Sequence, residues 1–117
     1  MSLVTLARIA AVPVSSWLIA MLTFDADYRA DNMFAVPDTA FSLLLLVAAV
    51  LPVRIAVPAL TVGYLFGSGV ITIAALDRFE QGQSGQGGLN LAIAGAYLVL
   101  ALLLILRSRP VPSPRRA

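Results

Sequence analysis

Cysteine, histidine and lysine are all missing from this 117-residue sequence, whose eight cations are arginines. Without cysteine there is no disulfide framework, no thiolate nucleophile and no thiolate metal site. Without histidine the commonest general base and metal ligand is gone, and without lysine there is no Schiff-base amine. Charge of either sign is scarce, at 12% of residues against about 25% in an ordinary soluble domain. Hydrophobic residues make up 60% of the chain, against roughly 45–50% in soluble domains, and mean hydropathy is +0.92. That composition excludes intrinsic disorder, which needs low hydrophobicity and high net charge. A chain this short cannot enclose so many apolar side chains in a water-facing globule. The class that remains is a small integral membrane protein. Arginine-only, alanine-rich usage fits a GC-rich coding sequence rather than a recognition chemistry.

The positions of the few charges carry the organisation. Arg8 to Asp25 leaves 16 uncharged positions, Asp38 to Arg54 leaves 15, Arg54 to Asp77 leaves 22 and Glu80 to Arg107 leaves 26. A helix needs about 20 mostly apolar residues to cross a hydrocarbon core of about 30 Å. The last two gaps meet that length outright. The first meets it if Arg8 snorkels to the headgroups, and the second if its helix continues through Pro52 to Val57 or the bilayer thins. The expected fold is therefore all-α, an integral membrane four-helix bundle in one domain over residues 1–107. Its spans are placed at 3–24, 38–57, 58–76 and 89–106, and residues 108–117 form an Arg/Pro tail. Three spans plus a re-entrant segment is the alternative.

Local signals agree with this division. Pro37-Asp38-Thr39 reads as a breaker and a capping side chain before the run Phe41–Leu51. Pro58 reads as a first-turn proline of the third span, and Gln81–Gly88 as a flexible polar linker. Pro13 is expected to kink the first helix and free a carbonyl for Ser15, Ser16 or a neighbouring helix. The residues after the first apolar run make a poor cleavage site, so that run reads as a membrane helix and not a secretory signal. Alternating the segments puts Arg8, Arg54, Arg107, Arg109, Arg115 and Arg116 on one side with no acid. The other side receives Arg29, Arg78 and all six acids: Asp25, Asp27, Asp31, Asp38, Asp77 and Glu80. The positive-inside rule then makes both termini cytoplasmic and locates the chain in the cell (inner or plasma) membrane.

Two kinds of helix face stand out. Small residues recur at four-residue intervals as Ala59, Gly63 and Gly67 in the third span and as Gly88, Ala92 and Ala96 in the fourth. A further set, Ala7, Ala11 and Ser15, lies in the first. Such stripes let helices approach closely in lipid, either within the bundle or against another subunit. Thr61, Tyr64, Ser68 and Thr72 fall at offsets of 0, 3, 7 and 11 and form a possible polar groove, although such hydroxyls often bond helix carbonyls instead. Arg107, Arg109, Arg115 and Arg116 serve as a topology signal, or as contacts for lipid headgroups or a partner's acidic surface.

No acid is expected between the helix ends, which argues against a membrane-embedded proton or cation carrier. Asp25, Asp27 and Asp31 echo a calcium loop, but Arg29, Ala30 and Val36 occupy positions that must carry a ligand, a glycine and a bidentate glutamate. No catalytic group, cofactor or metal is expected, and nucleic acid is not a fitting partner for a net charge of +2 held close to a membrane. Four spans, cytoplasmic termini, Ala- and Arg-rich usage and an Arg-Pro tail resemble the small four-span accessory proteins of actinobacterial membrane complexes. Those attached to mycobacterial lipid importers of the mammalian-cell-entry type are an example. The resemblance implies a partner permease or ATPase, with Gly63, Gly67 or the tail arginines as contacts. The expected function is that of a non-catalytic accessory subunit that docks through its helices onto a larger transport complex. A small homo-oligomeric permease or lipid flippase, using the Thr61/Tyr64/Ser68/Thr72 face, is the alternative.

Overall fold

The structure, a computed structural model, describes residues 2–26 and 33–108. These residues are helical apart from short connections. The four helices are α1 (Leu3–Phe24), α2 (Ala35–Ala48), α3 (Val53–Glu80) and α4 (Ser84–Ser108). Three of them, α1, α3 and α4, are long and apolar enough to cross a membrane, and α2 is a shorter apolar helix. At about 1.5 Å per residue, α2 is only about 21 Å long and α3 about 42 Å.

Each boundary has a local cause. Ser2 caps α1 by accepting a hydrogen bond from the Thr5 amide at 3.1 Å, which satisfies one of the open N–H groups of the first turn. α1 then runs on through Pro13. The expectation that the second helix continues through Pro52 to Val57 is not met. It stops at Ala48, and the chain tightens through Val50 N–H to the Val47 carbonyl and Leu51 N–H to the Ala48 carbonyl. Pro52, with no N–H to extend that ladder, takes an extended backbone (φ −56°, ψ 149°). Its carbonyl accepts instead from Ile55 and Ala56. Pro52 thus ends one helix and starts the next. In consequence Pro58, expected in a first turn, lies inside α3.

The α3–α4 connection is shorter than the expected linker. Gly82, at φ +78°, occupies the left-handed position that glycine tolerates best. Its N–H bonds the Phe79 carbonyl at 3.0 Å while Gln83 N–H bonds the Arg78 carbonyl at 2.8 Å, the paired bonds of a Schellman termination. α4 begins at Ser84, so Ser84–Gly88 are helical.

The helices pack in chain order: α1 along α2, α2 along α3, and α3 most extensively along α4, with smaller contacts from α1 to α3 and α4. The core is formed by residues such as Ala7, Ala11, Phe41, Leu45, Leu60, Tyr64 and Leu104, all fully buried. Phe41 meets Phe66 and Tyr97 edge-on at centroid distances of 6.4 and 6.3 Å, and Tyr64 meets Tyr97 at 4.8 Å. The outward surface is also apolar, with Trp17, Leu76, Leu89 and Leu106 among many large side chains left exposed. A water-facing monomer seldom carries so continuous an apolar surface.

Candidate functional site

A cleft of about 980 Å³ lies where the C-terminal half of α1, the start of α2 and the α3–α4 turn come together. Its apolar wall includes Trp17, Met21, Met33 and Phe34, and its polar rim includes Asp77, Arg78, Gln86 and Asn90. Asp38 lines it too and is only 7% exposed.

Asp38 is placed there by a departure from the expected cap. The cap residue of α2 is Phe34, whose carbonyl accepts from the Asp38 amide at 2.8 Å, so Asp38 sits inside the first turn. Thr39 turns its hydroxyl onto the Ala35 carbonyl at 2.7 Å. An acid in a first helical turn is favoured by the helix dipole, but the buried carboxyl of Asp38 has no hydrogen-bond or ion-pair partner among the described residues. The neighbouring charges are engaged elsewhere. Asp77 accepts from the Gln81 side-chain amide at 2.8 Å, and Arg78 donates to the Gln83 side chain at 2.7 Å. The sequence reads Pro37-Asp38-Thr39 as a breaker and a capping side chain, and the structure puts Asp38 inside the helix instead. Its place on the buried side of α2, one turn before Ser42, was the signal available to correct that.

The small-residue stripes have different fates. A Cβ added to Gly63 would lie 2.7 Å from Leu45 Cδ2, and one added to Gly67 would lie 2.9 Å from Phe41 Cδ1 and 3.1 Å from Tyr97 Cδ2. These glycines, with half-buried Ala59 beside them, are consumed in seating α2 on α3. Ala7, Ala11 and Ser15 are fully buried as well. Gly88, Ala92 and Ala96, by contrast, are exposed, and nothing lies within 4 Å of a Cβ added at Gly88 or at nearby Gly95.

The Thr61, Tyr64, Ser68 and Thr72 side chains do not form an open groove. Thr61 and Thr72 return their hydroxyls to the carbonyls of Val57 and Ser68, each four residues back, at 2.7 Å. Ser68 donates across to the Ala94 carbonyl at 2.9 Å, and Tyr64 donates to the Ala7 carbonyl. Tyr64 and Ser68 are buried. All four hydroxyls are spent on backbone, as Ser and Thr in apolar helices usually are.

Three other hydroxyls are not spent. Among the described residues Ser15 Oγ, Ser42 Oγ and Tyr97 OH are buried without a well-formed hydrogen bond, Ser15 and Tyr97 lying close enough for no more than a weak one. Ser15 therefore does not satisfy the carbonyl freed by Pro13. The Arg8 guanidinium donates to the Ala49 carbonyl at 2.9 Å. Arg107 is exposed in the last turn of α4. Arg109, Arg115 and Arg116, like Asp27, Arg29 and Asp31, lie outside the described residues.

Comparison of the chain with protein-family models, with curated proteins and with solved structures gives no match.

Proposed function

We propose that this chain is a small integral membrane protein, with both termini cytoplasmic, that acts as a non-catalytic accessory subunit of a larger membrane transport assembly. The observation that carries the reading is the outward Gly88/Ala92/Ala96 face of α4. In a bilayer, small residues on an exposed helix surface gain nothing from lipid but let a second helix approach closely. The chain's own helices occupy the Gly63 and Gly67 face and leave this one uncovered. The apolar outer surface supports membrane residence, and the arginine bias toward one end of the bundle supports the orientation. A lipid-importing permease or ATPase is the partner class that the architectural resemblance suggests, with anionic lipid as a further contact for the tail arginines.

The test is co-purification from native membranes, comparing the native chain with a Gly88→Leu/Ala92→Leu/Ala96→Leu variant. A defined partner retained by the native chain and lost by a variant of unchanged helicity and thermal stability is the expected result. Equal retention of the same partner by both chains would remove α4 as the docking face.

The cleft favours a second reading, a small homo-oligomeric permease or lipid flippase. A discrete homo-oligomer that moves solute or lipid in liposomes without any other subunit would establish it over the first.

A further inference from the structure

We propose that the cleft between α1, α2 and the α3–α4 turn binds a lipophilic organic cation, with Asp38 as its counter-charge. Small-molecule sites are concavities of about 300–1,000 Å³, mostly apolar, with a few fixed polar groups, and this cleft is about 980 Å³. Among the described residues the Asp38 carboxyl has no hydrogen-bonding or charged partner, which is costly for a largely buried carboxylate, and a bound cation supplies one. The other charged groups set the sign. Among the described residues α1 brings no charged side chain to the cleft, α3 brings Asp77 and Arg78, and α4 brings only uncharged Gln86 and Asn90. Arg78 is turned to Gln83, so among the described residues the cleft presents two carboxylates and one engaged guanidinium.

The walls choose the kind of cation. Trp17 and Phe34 line the cleft with aromatic rings, the groups that attract delocalised or quaternary cations, and Met21 and Met33 line it with polarizable surface that adapts to bulky apolar groups. A bare metal ion is a poor fit, because no group of three acidic or imidazole ligands exists among the described residues. An anion meets Asp38 and Asp77, and a neutral amphiphile leaves Asp38 unpaired. The site does not depend on docking through α4.

The experiment uses the full chain in nonionic detergent and the fluorescence of Trp17, the chain's single tryptophan, which lies in the cleft wall. Titration with tetraphenylphosphonium at pH 8 is expected to give a saturable change, with neutral triphenylphosphine oxide giving none. Asp38→Asn, folded by circular dichroism, is expected to weaken binding at least about tenfold, as loss of a charge-assisted partner does. The native chain supplies a second readout that needs no variant. Because proton and cation compete for the same carboxylate, affinity measured by equilibrium dialysis is expected to fall as the pH is lowered from 8 to 4. Equal binding of the neutral compound, or a pH-independent affinity, would overturn the proposal. So would unchanged affinity in folded Asp38→Asn.

Discussion

The Arg8 guanidinium donates a hydrogen bond to the Ala49 carbonyl at 2.9 Å, joining residues 41 positions apart. Ala49 is the C-terminal cap of α2, where carbonyls left without helical partners gather partial negative charge. A cation from the first turns of α1 therefore closes the end that Pro52 forces upon α2. The contact ties the register of α1 to the point where α2 stops, so the two helices cannot slide independently.

Arg8→Ala should therefore destabilise the bundle by about 1–3 kcal/mol, the cost of losing a partly buried hydrogen bond from a charged group. Arg8→Lys should recover part of the loss, since an ammonium supplies the charge but not the planar fork. Chemical unfolding in nonionic detergent measures both. A native-like Arg8→Ala would show that the contact contributes nothing to α2.

The glycines should separate into two classes. Gly63→Ala and Gly67→Ala drive a methyl into Leu45 or into the Phe41 and Tyr97 rings, and overpacking of that kind costs about 1–3 kcal/mol. Gly95→Ala meets open space and should gain up to about 1 kcal/mol from helix propensity. Thermal melts of the three variants decide the matter, and equal behaviour would contradict the α2–α3 packing.

The two central tyrosines should respond oppositely to loss of their hydroxyls. Tyr64→Phe removes the bond to the Ala7 carbonyl and should cost about 1 kcal/mol. Tyr97 makes no well-formed hydrogen bond, and at most a weak one with Ser15, so Tyr97→Phe should be neutral or mildly stabilising while its ring contacts with Phe41 and Tyr64 persist. A Tyr97→Phe loss as large as that of Tyr64→Phe would mean that a bound water serves the hydroxyl.

Much of the fold was legible because uncharged gaps report helices directly. The 22 and 26 uncharged positions flanked by Arg54, Asp77, Glu80 and Arg107 correspond to α3 and α4. The α2–α3 boundary was misplaced because two prolines, Pro52 and Pro58, compete for one role, and hydropathy cannot choose between them. Pro52 wins because the tightening turn before it has already exhausted its N–H donors. Periodicity located the faces of Gly63 and Gly88 but not their surroundings, since a stripe names a side of a helix and not what stands opposite. Asp38 was the costliest omission. A capping motif and a buried first-turn acid share the same letters, and only the position of Phe34 as the actual cap tells them apart.

For a chain proposed to live in a bilayer, α2 makes one wall of the bundle too low. At about 21 Å it falls short of a hydrocarbon layer of about 30 Å, while outward Leu43, Val47 and Val50 still require an apolar surrounding. Lipid beside α2 must dimple inward while lipid along α1, α3 and α4 keeps its full height, at a cost of fractions of a kcal/mol per ångström of mismatch. The protein thus carries a thickness preference on one flank. It should partition toward thin, pliant membranes, and in thick ones a neighbouring protein laid against α2 would spare the lipid that deformation.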